Sequence, residues 1–509
     1  MRNQGLGPWM LRRAERSGQH LAVIDGERRL TWRELAEQTA REATALHEEG
    51  VGPGDRVAFL GENSVEFLRT IFAVWLVGGV LVPLNTRLAA PEVAFQLDDS
   101  GARLLIHDQT LEALAAESCP TGAVSRRAVG QPGKSRATDA APGLAERLEG
   151  LEPWHEDVAV AEDETAMILY TSGTTGRPKG ARLTHRNLTW NCINALVDSD
   201  VRGDDVCLMI SPMFHVASLG MGVLPAVLKG AALVVEARFD PGRALELIER
   251  ERVTSLAGVP TTFQMLMEHD DWERRDLSSL RRMSCGGSAI PHTVLDAYES
   301  RGLAFTMNYG MTEASPGVTM SPPERTREKA GSSGLPHFFT EVRIVDPLGE
   351  DLGPGETGEI LVSGPQVISD YWNRPDGGSA FRDGWFHTGD VGHRDEDGFL
   401  YVTDRLKDMF VSGGENVYPA EVESTLIEHP AVSSVAVVGV PDDRWGDVPH
   451  AYIVAAEGRS ISEQEVMSFL DGRLARYKIP RHVTLVEDLP RTASGKLRKS
   501  QLVGRRPSE

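Results

Sequence analysis

The chain is predicted to have an α/β fold. A large amino-terminal domain of layered α/β subdomains with a β-barrel-like portion is expected to precede a small, mobile α+β carboxy-terminal domain. A length of 509 residues suggests more than one domain. Strand-like apolar runs alternate with helical patterns, which is typical of parallel sheets covered by helices. The pattern changes to short β-runs with Gly/Pro turns from Val342 to Val362, and it changes again near Asp404.

The alternation is clearest in the amino-terminal half. The runs predicted to be strands are Arg56–Leu60, Leu104–Ile106, Ala166–Leu169 and Ala232–Val235. The stretches predicted to be helices are Trp9–Glu15, Val65–Val77 and Pro241–Arg252. The segment Cys119–Pro142 is rich in Ser, Arg, Ala, Gly and Pro, and it is therefore predicted to be a mobile surface segment.

The change of pattern near Asp404 predicts one domain over residues 1–403 and a second over residues 404–509. The second part has its own strand and helix signals, Val435–Val438 and Glu463–Ala475. It is therefore expected to form a small α+β domain of its own.

Composition excludes several classes of function. A net charge of −21 argues against nucleic acid as a partner. No apolar run is long enough to span a bilayer, so no integral membrane segment is expected. The four cysteines are widely spaced and form neither a metal pattern nor a disulfide framework, which fits a reducing cytoplasm. The sequence leaves a homodimer open.

The charge is unevenly distributed along the chain. From Gly472 to Glu509 there are ten Lys or Arg residues and three Asp or Glu residues, a net charge of +7. A polyanionic small molecule would be attracted to this segment. The alternative interpretation, a solvated basic tail, applies to about half of these residues.

The segment Tyr170–Ala181 is the most informative for function. Five hydroxyl groups and three glycines occur in its first eleven residues, directly after a predicted strand. Glycine lets backbone N–H groups approach an anion, and Ser and Thr add short donors, so this loop is suited to hold a polyphosphate. It is not a Walker P-loop, because Pro178 precedes Lys179 and Gly180 follows it. The simpler alternative is a surface turn.

Further motifs follow in order, and each is weak alone. His215 lies in an apolar setting, where a packed core histidine is the more common role. The motif at 308–313 offers an aromatic ring, a hydroxyl and a carboxylate, and an aspartate after glycine at Asp390 suits a ribose diol. The segments are Pro212–Ser218, Asn308–Glu313, Trp385–Asp390, Thr403–Pro419 and Pro490–Lys496.

Together, in this order and spacing, these motifs resemble those of the adenylate-forming superfamily. That superfamily comprises acyl-CoA synthetases, adenylation domains of nonribosomal peptide synthesis and luciferase. The residue pattern from Asp404 to Glu423 is most similar to that of fatty and other carboxylic acid:CoA ligases. The resemblance covers nearly the whole chain.

The resemblance implies two half-reactions and three small molecules, ATP with Mg²⁺, a carboxylic acid and CoA. In the first, the carboxylate attacks the α-phosphate of ATP and gives an acyl-adenylate and pyrophosphate. In the second, a thiol attacks the acyl carbonyl and expels AMP. The phosphate charge of the first step must be neutralised, by Mg²⁺ and by positioned donors.

Site residues follow from the same resemblance. The expected catalytic residues are Lys496, His215, Thr312 and Glu313, of which Glu313 also binds the metal. The expected ATP- and AMP-binding residues are Thr171, Ser172, Gly173, Thr174, Thr175, Lys179, Gly286, Gly287, Ser288, Asn308, Tyr309, Gly310, Met311, Thr312, Asp390 and Arg405. Ser412, Gly413 and Gly414 are expected to contact CoA, and Lys407 is the expected hinge. Residues 1–403 would then bind the acid and ATP, and residues 404–509 would carry the hinge, the CoA contacts and the catalytic lysine.

The acid and the acceptor are less specified. Phe214–Ser218 contains no carboxylate to pair with an amino group, which disfavours amino acids because a buried unpaired ammonium is costly. The small residues of Ala217–Gly222 suggest a roomy apolar pocket, and fatty, aryl and bulky polycyclic acids remain open. The alternatives are an acid:AMP ligase that loads a carrier protein and an enzyme that mainly converts a preformed acyl-adenylate. A luciferase-like oxygenase and a catalytically silent adenylate-binding protein are weaker alternatives.

Overall fold

The computed structural model describes residues 3–119, 124–129, 148, 150–171, 178–287, 290–374, 380–405, 408–412, 415–417, 419–442, 446–471, 473–474, 476–491 and 497–502. The chain divides into two compact units. Unit 1 comprises Met1–Val342 and Val362–Phe386, and unit 2 comprises Arg343–Leu361 and His387–Glu509.

Strands are numbered along the chain. They are β1 (Leu21–Asp25), β2 (Arg28–Thr31), β3 (Arg56–Leu60), β4 (Val80–Leu84), β5 (Leu104–Asp108), β6 (Ser125–Val129), β7 (Thr165–Thr171), β8 (Lys179–Thr184), β9 (Val206–Met209), β10 (Ala232–Val235), β11 (Ser255–Gly258), β12 (Arg282–Gly286), β13 (Phe305–Gly310), β14 (Gly317–Met320), β15 (Leu335–Pro336), β16 (Glu341–Val345), β17 (Gly358–Ser363), β18 (Phe381–Arg382), β19 (Trp385–Arg394), β20 (Leu400–Arg405), β21 (Phe410–Ser412), β22 (Glu415–Val417), β23 (Val432–Asp442), β24 (Gly446–Ala455) and β25 (His482–Leu485).

Helices are numbered in the same way. They are α1 (Trp9–Ser17), α2 (Trp32–Glu48), α3 (Val65–Leu76), α4 (Ala90–Ser100), α5 (Glu112–Ser118), α6 (His185–Asp198), α7 (Val216–Ser218), α8 (Leu224–Lys229), α9 (Pro241–Arg250), α10 (Pro260–Met267), α11 (His292–Glu299), α12 (Pro419–Ile427) and α13 (Glu463–Leu470). A π-helical stretch, Leu219–Val223, joins α7 to α8. None of the helices that the structure describes is long and apolar enough to cross a membrane.

Unit 1 contains two sheets with parallel centres. The larger has the order β15-β14-β13-β12-β11-β9-β10-β1-β2, parallel from β13 to β1 and antiparallel at both edges. The smaller has the order β6-β5-β3-β4-β7-β8, in which only the β7–β8 pair is antiparallel. Strands β3, β4, β5 and β10 are buried along nearly their whole length, which explains their largely apolar sequences. Strands β11, β12 and β13 also contain partly exposed residues.

Most of the sequence predictions for these elements are confirmed. The four predicted strands coincide with β3, β5, β7 and β10, and the three predicted helices coincide with α1, α3 and α9. The prediction of a mobile segment is wrong for Ser125–Val129, which forms β6 beside β5. An edge strand such as β6 is held by its hydrogen bonds to the neighbouring strand and needs no apolar run of its own. Its polar sequence therefore did not indicate a strand. The predicted helix at Glu463–Ala475 ends earlier, at Leu470.

A buried ion pair joins α2 to α3 within unit 1. Arg69 binds Glu42, and their side chains are 6% and 0% exposed. Thr70 donates a second hydrogen bond to the same carboxylate. The pair therefore fixes how these two helices pack.

We expect Arg69→Ala to lower the free energy of unfolding by about 3–5 kcal/mol, because it leaves the Glu42 charge buried without its partner. Urea unfolding followed by circular dichroism measures this. Arg202→Ala, which breaks the exposed pair with Asp200, is the matched control and should change little. An equally small effect of both substitutions would contradict the expectation.

Unit 2 has its own sheets and core. Strands β16, β17, β19 and β20 are neighbours in one sheet, and β22, β21, β24, β23 and β25 form another. Val422 and Leu426 of α12 and Val466 and Leu470 of α13 pack in a buried cluster with Val437 and other residues of the second sheet. A hydrophobic core of its own is what a separate folding unit requires.

Candidate active site

Strands β12 and β13 end side by side in the larger sheet. Gly286, the last residue of β12, is paired with Asn308 in parallel register, and Gly287 and Tyr309 follow. Asn308 Nδ2 donates to Ser284 Oγ at 2.6 Å. In the described structure Asn308 Oδ1 is buried and has no hydrogen-bond partner. The carboxyl ends of parallel strands are where α/β sheets usually bind ligands.

A tight loop follows β13 and carries Met311, Thr312 and Glu313. The Met311 N–H donates to the Pro316 carbonyl at 3.0 Å, and residues Thr312–Ala314 form a single 3₁₀ turn. A Cβ atom placed on Gly310 would lie 1.9 Å from the Pro316 oxygen. The close return of the chain therefore requires glycine at this position.

We expect Gly310→Ala to open the 310–316 loop and to abolish ATP-dependent activity, because overpacking against backbone costs about 1–3 kcal/mol or more. Thermal melting with and without ATP would detect both the lost stability and the lost nucleotide binding. Gly52→Ala is the matched control, because a Cβ atom there meets nothing closer than 4.0 Å. Normal melting and ATP binding of the Gly310 variant would contradict this reasoning.

The Glu313 side chain is held by a residue far away in the sequence. The Tyr371 hydroxyl donates to Glu313 Oε1 at 2.9 Å. The Ile368 N–H donates to the backbone oxygen of Glu313, also at 2.9 Å. The segment around residues 368–371 therefore fixes both the main chain and the carboxylate of Glu313.

The same tyrosine also contacts the end of the hydroxyl-rich segment. Lys179, the first residue of β8, has its Nζ atom 5.4 Å from the centre of the Tyr371 ring. Thr171, the last residue of β7, is paired directly with Lys179 across the two strands. Two predicted site residues from separate motifs, Lys179 and Glu313, therefore meet around the Tyr371 ring.

Tyr371 itself was missed by sequence reasoning, because it belongs to none of the motifs recognised. One signal was present. Asp370, Tyr371, Trp372, Asn373 and Arg374 form a dense run of charged, aromatic and amide side chains. Such residues on a connection more often bind something than pack a core.

Three segments come together near His215, at the proposed boundary of the site. His215 directly precedes α7, and its ring lies 4.8 Å from that of Phe214. Asn191 of α6 donates through Nδ2 to the Gly220 carbonyl at 2.8 Å and accepts the Gly317 N–H through Oδ1 at 2.9 Å. This amide, which the sequence did not single out, ties the π-helical stretch to β14.

The expectation that the small residues at 217–222 leave empty space is wrong for Gly220. A Cβ atom there would lie 2.5 Å from the Ser315 oxygen and 2.7 Å from Pro316 Cδ. The space that the missing side chain leaves is thus filled by the 310–316 loop. Gly220 serves close packing and does not enlarge a pocket.

Predicted site residues of unit 2 lie on three of its strands. Asp390 of β19 is 7% exposed and is paired with Arg405 of β20, and its N–H donates to Thr388 Oγ1 at 3.0 Å. Ser412, the last residue of β21, is 4% exposed. Phe410 on the same strand packs over Gly439, where a Cβ atom would lie 2.6 Å from its ring.

Several predicted residues lie outside the described part of the chain. These are Ser172, Gly173, Thr174, Thr175, Ser288, Lys407, Gly413, Gly414 and Lys496. The side chain of Arg405 is also outside it.

Two family models match the chain. The model described as AMP-binding enzyme matches residues 10–372, and the model described as AMP-binding enzyme C-terminal domain matches residues 421–496. Together they cover most of the sequence. Their order agrees with a large first domain followed by a small second one.

The chain is also similar to characterised relatives over its whole length. It is 48% identical to feruloyl-CoA synthase of an Amycolatopsis species, with 99% of each chain covered. It is 39% identical to indoleacetate–CoA ligase of Aromatoleum aromaticum, with 98% of each covered.

A solved structure shares the fold. The o-succinylbenzoate CoA synthetase of Bacillus subtilis, in complex with its acyl-adenylate intermediate, superposes with a TM-score of 0.88 at 35% identity and covers 98% of this chain and 99% of its own. The same enzyme has been solved with ATP and magnesium, at a TM-score of 0.86. These matches confirm the predicted α/β fold class and the resemblance drawn from the motifs.

Proposed function

Because the chain belongs to the AMP-binding enzyme family and is an AMP-forming acyl-CoA synthetase, we propose that it activates an aromatic carboxylic acid with ATP and transfers the acyl group to CoA. The observation that carries this proposal is the cluster around Tyr371. Lys179 and Glu313, a cation and an anion suited to phosphate and to metal, face one tyrosine from separate motifs. Attack on the α-phosphate of ATP requires that the negative charge of the phosphates be neutralised, and a lysine together with a metal-binding carboxylate can do this.

In the first half-reaction, an oxygen of the acid attacks the α-phosphorus of ATP, and the bond to the β-phosphate oxygen breaks and releases pyrophosphate. Thr312 donates to the α-phosphate in this proposal, and Lys496 neutralises charge between the carboxylate and that phosphate. An ammonium on a flexible stem can follow a developing negative centre. The residues proposed to hold the β- and γ-phosphates are Thr171, Ser172, Gly173, Thr174, Thr175 and Lys179.

The chemistry of Glu313 fits Mg²⁺, which would neutralise phosphate charge and orient the triphosphate. Glu313 is a partly exposed residue, which is compatible with binding of a metal and its waters. Among the residues that the structure describes, no cluster of three or more His, Cys, Asp or Glu is arranged to hold a metal alone. One carboxylate suffices, because Mg²⁺ keeps several waters and binds substrate phosphates.

Adenosine binding is assigned to two groups of residues. Tyr309 would stack on adenine, opposite Gly286, Gly287 and Ser288. Asn308 Oδ1, buried without a partner among the described residues, can accept a hydrogen bond from the adenine amino group. Asp390, assisted by Arg405, would accept from the ribose hydroxyls. Gly310 and Met311 complete the assigned set through their backbone.

In the second half-reaction, the CoA sulfur attacks the acyl carbonyl carbon, and the bond to the AMP phosphate oxygen breaks. We assign residues 404–509 to a domain that turns at Lys407 between the two steps. The turn would withdraw Lys496 and present Ser412, Gly413 and Gly414 to the pantetheine arm. His215 is assigned to the boundary between acid and nucleotide, and residues 1–403 to acid and ATP binding.

Two arguments support an aromatic acid. Feruloyl-CoA synthase and indoleacetate–CoA ligase are both named for aromatic acids, and they are 48% and 39% identical to this chain. The segment around His215 also suits an aromatic acid, because Phe214 precedes His215 and Met221 lies on the π-helical stretch that follows it. Aromatic rings and thioethers both contact rings favourably. Residues 214–222 carry no acidic group.

The substrate proposal is tested by kcat/KM values for ferulic acid, indoleacetic acid, decanoic acid and phenylalanine. An aromatic acid should be preferred, and phenylalanine should be the poorest. A preference for decanoic acid would replace the aromatic class with a fatty one. Acyl-AMP release without acyl-CoA would favour a carrier protein as acceptor, and thioester only from supplied acyl-adenylate would favour an enzyme of the second step.

We also propose a cellular location and an oligomeric state. Four widely spaced cysteines support a cytoplasmic location, which cell fractionation tests. A homodimer is proposed as the working state, and light scattering of the purified protein tests it.

A further inference from the structure

We propose that Tyr371 is a positioning residue for adenylation, whose hydroxyl holds the Glu313 carboxylate in the orientation that binds Mg²⁺. This inference rests on the proposed function, which assigns the metal to Glu313. It adds a residue outside the recognised motifs and gives it a distinct, measurable role. Groups that hydrogen-bond metal ligands commonly set ligand orientation in this way.

The contact is specific. Tyr371 is 8% exposed, and its hydroxyl lies 2.9 Å from Glu313 Oε1. In the described part of the chain it is the one donor to that carboxylate. This hydrogen bond occupies one carboxylate oxygen, and Glu313 is partly exposed, so its second oxygen can bind a metal.

The hydrogen bond joins a neutral donor to a carboxylate, because the Tyr371 hydroxyl donates to Glu313 Oε1. A charge-assisted hydrogen bond of this kind is stronger than one between neutral groups.

The tyrosine is itself anchored on both sides. The Trp372 N–H donates to the Gly180 carbonyl at 2.7 Å, and Arg182 donates to Asp370 Oδ2 at 2.7 Å. Trp372 Nε1 also donates to the Asp99 carbonyl at 3.1 Å. Residues before and after Tyr371 are thus fixed to the smaller sheet, and the hydroxyl has a defined position.

The backbone around Glu313 is fixed independently of Tyr371. Ile368 binds the Glu313 carbonyl, and Ser315 Oγ donates to the Gln366 carbonyl at 2.7 Å. Loss of the phenol hydroxyl should therefore leave the loop in place and release only the carboxylate. This separates positioning from structural support.

The experiment compares Tyr371→Phe with the wild type. Phenylalanine keeps the ring and its contact with Lys179, and it removes only the hydroxyl. Two quantities are measured: the Mg²⁺ concentration at half-maximal acyl-adenylate formation, and Mn²⁺ binding by electron paramagnetic resonance with a non-hydrolysable ATP analogue. We expect the half-maximal Mg²⁺ concentration to rise about tenfold and the Mn²⁺ affinity to fall about tenfold. Removing a group that supports a metal ligand typically lowers metal affinity by about this factor.

Controls fix the interpretation. Tyr298→Phe removes another buried hydroxyl, one that donates to the Phe263 carbonyl at 3.0 Å, and should leave both metal measurements unchanged. Thioester formation from synthetic acyl-adenylate and the melting temperature should stay close to wild type in Tyr371→Phe. Glu313→Gln should weaken metal binding, and adding Tyr371→Phe to it should have no further effect.

The outcomes separate the two proposals. Unchanged metal dependence in Tyr371→Phe, with Glu313→Gln impaired, overturns the role of Tyr371 and leaves the function intact. Unchanged metal dependence in Glu313→Gln overturns the metal assignment itself. Additive losses in the double variant would show that Tyr371 acts by a route other than Glu313, and would also overturn the inference.

Discussion

We expect Lys496→Ala to lower the rate of acyl-adenylate formation by a factor on the order of 100 or more, because it removes the cation proposed to balance charge at the α-phosphate. Conversion of a supplied acyl-adenylate to the thioester should persist, since that step proceeds at the acyl carbon and no pentacoordinate phosphorus forms. Single-turnover assays of each half-reaction measure the two effects separately.

A neighbouring charge provides the control for this prediction. Arg498 lies two residues further on and is exposed, so Arg498→Ala removes a positive charge without the assigned role. It should retain both half-reactions. Equal loss of both half-reactions in Lys496→Ala would contradict the assignment.

Gly414→Trp is expected to block the second half-reaction and to spare the first. In the proposal Gly413 and Gly414 leave room for the pantetheine arm, and an indole side chain would fill that room. Acyl-AMP should then accumulate, with acyl-CoA formation reduced on the order of 100-fold, comparable to the loss of a major catalytic contact.

Gly353→Trp is the matched control for bulk, because Gly353 is exposed in unit 2 and its backbone needs no positive φ. It should form acyl-CoA normally. Normal acyl-CoA formation by Gly414→Trp as well would contradict the assigned position of CoA.

The fold was predictable from the sequence because parallel strands have a strong local signature. β3, β5, β7 and β10 are short apolar runs bounded by turns, and burial on both faces leaves them little choice of composition. β6 was missed since an edge strand depends on its neighbour β5. Its sequence is polar and resembles that of a loop.

Site residues could be predicted from the sequence where they belong to a short motif of chemically suited residues. Glu313 and Lys179 were recognised in this way. Tyr371 and Asn191 were not, because their roles depend on contacts with residues 58 and 126 positions away. Long-range pairing of this kind leaves no periodic pattern in the sequence, and only the fold reveals it.

Phe410 shows how a residue far away in the sequence accommodates a bulky side chain. A Cβ atom on Gly439 of β23 would lie 2.6 Å from the Phe410 ring. Glycine at position 439 therefore provides the space for this ring.

The central claim is that one site forms an acyl-adenylate and then a CoA thioester. The most direct test is mass spectrometry of a single turnover with ATP, Mg²⁺, CoA and ferulic acid, which quantifies acyl-AMP and acyl-CoA over time. The account predicts that feruloyl-AMP appears first and decays as feruloyl-CoA and AMP rise. Acyl-CoA formed with ADP and phosphate in place of AMP and pyrophosphate would contradict it.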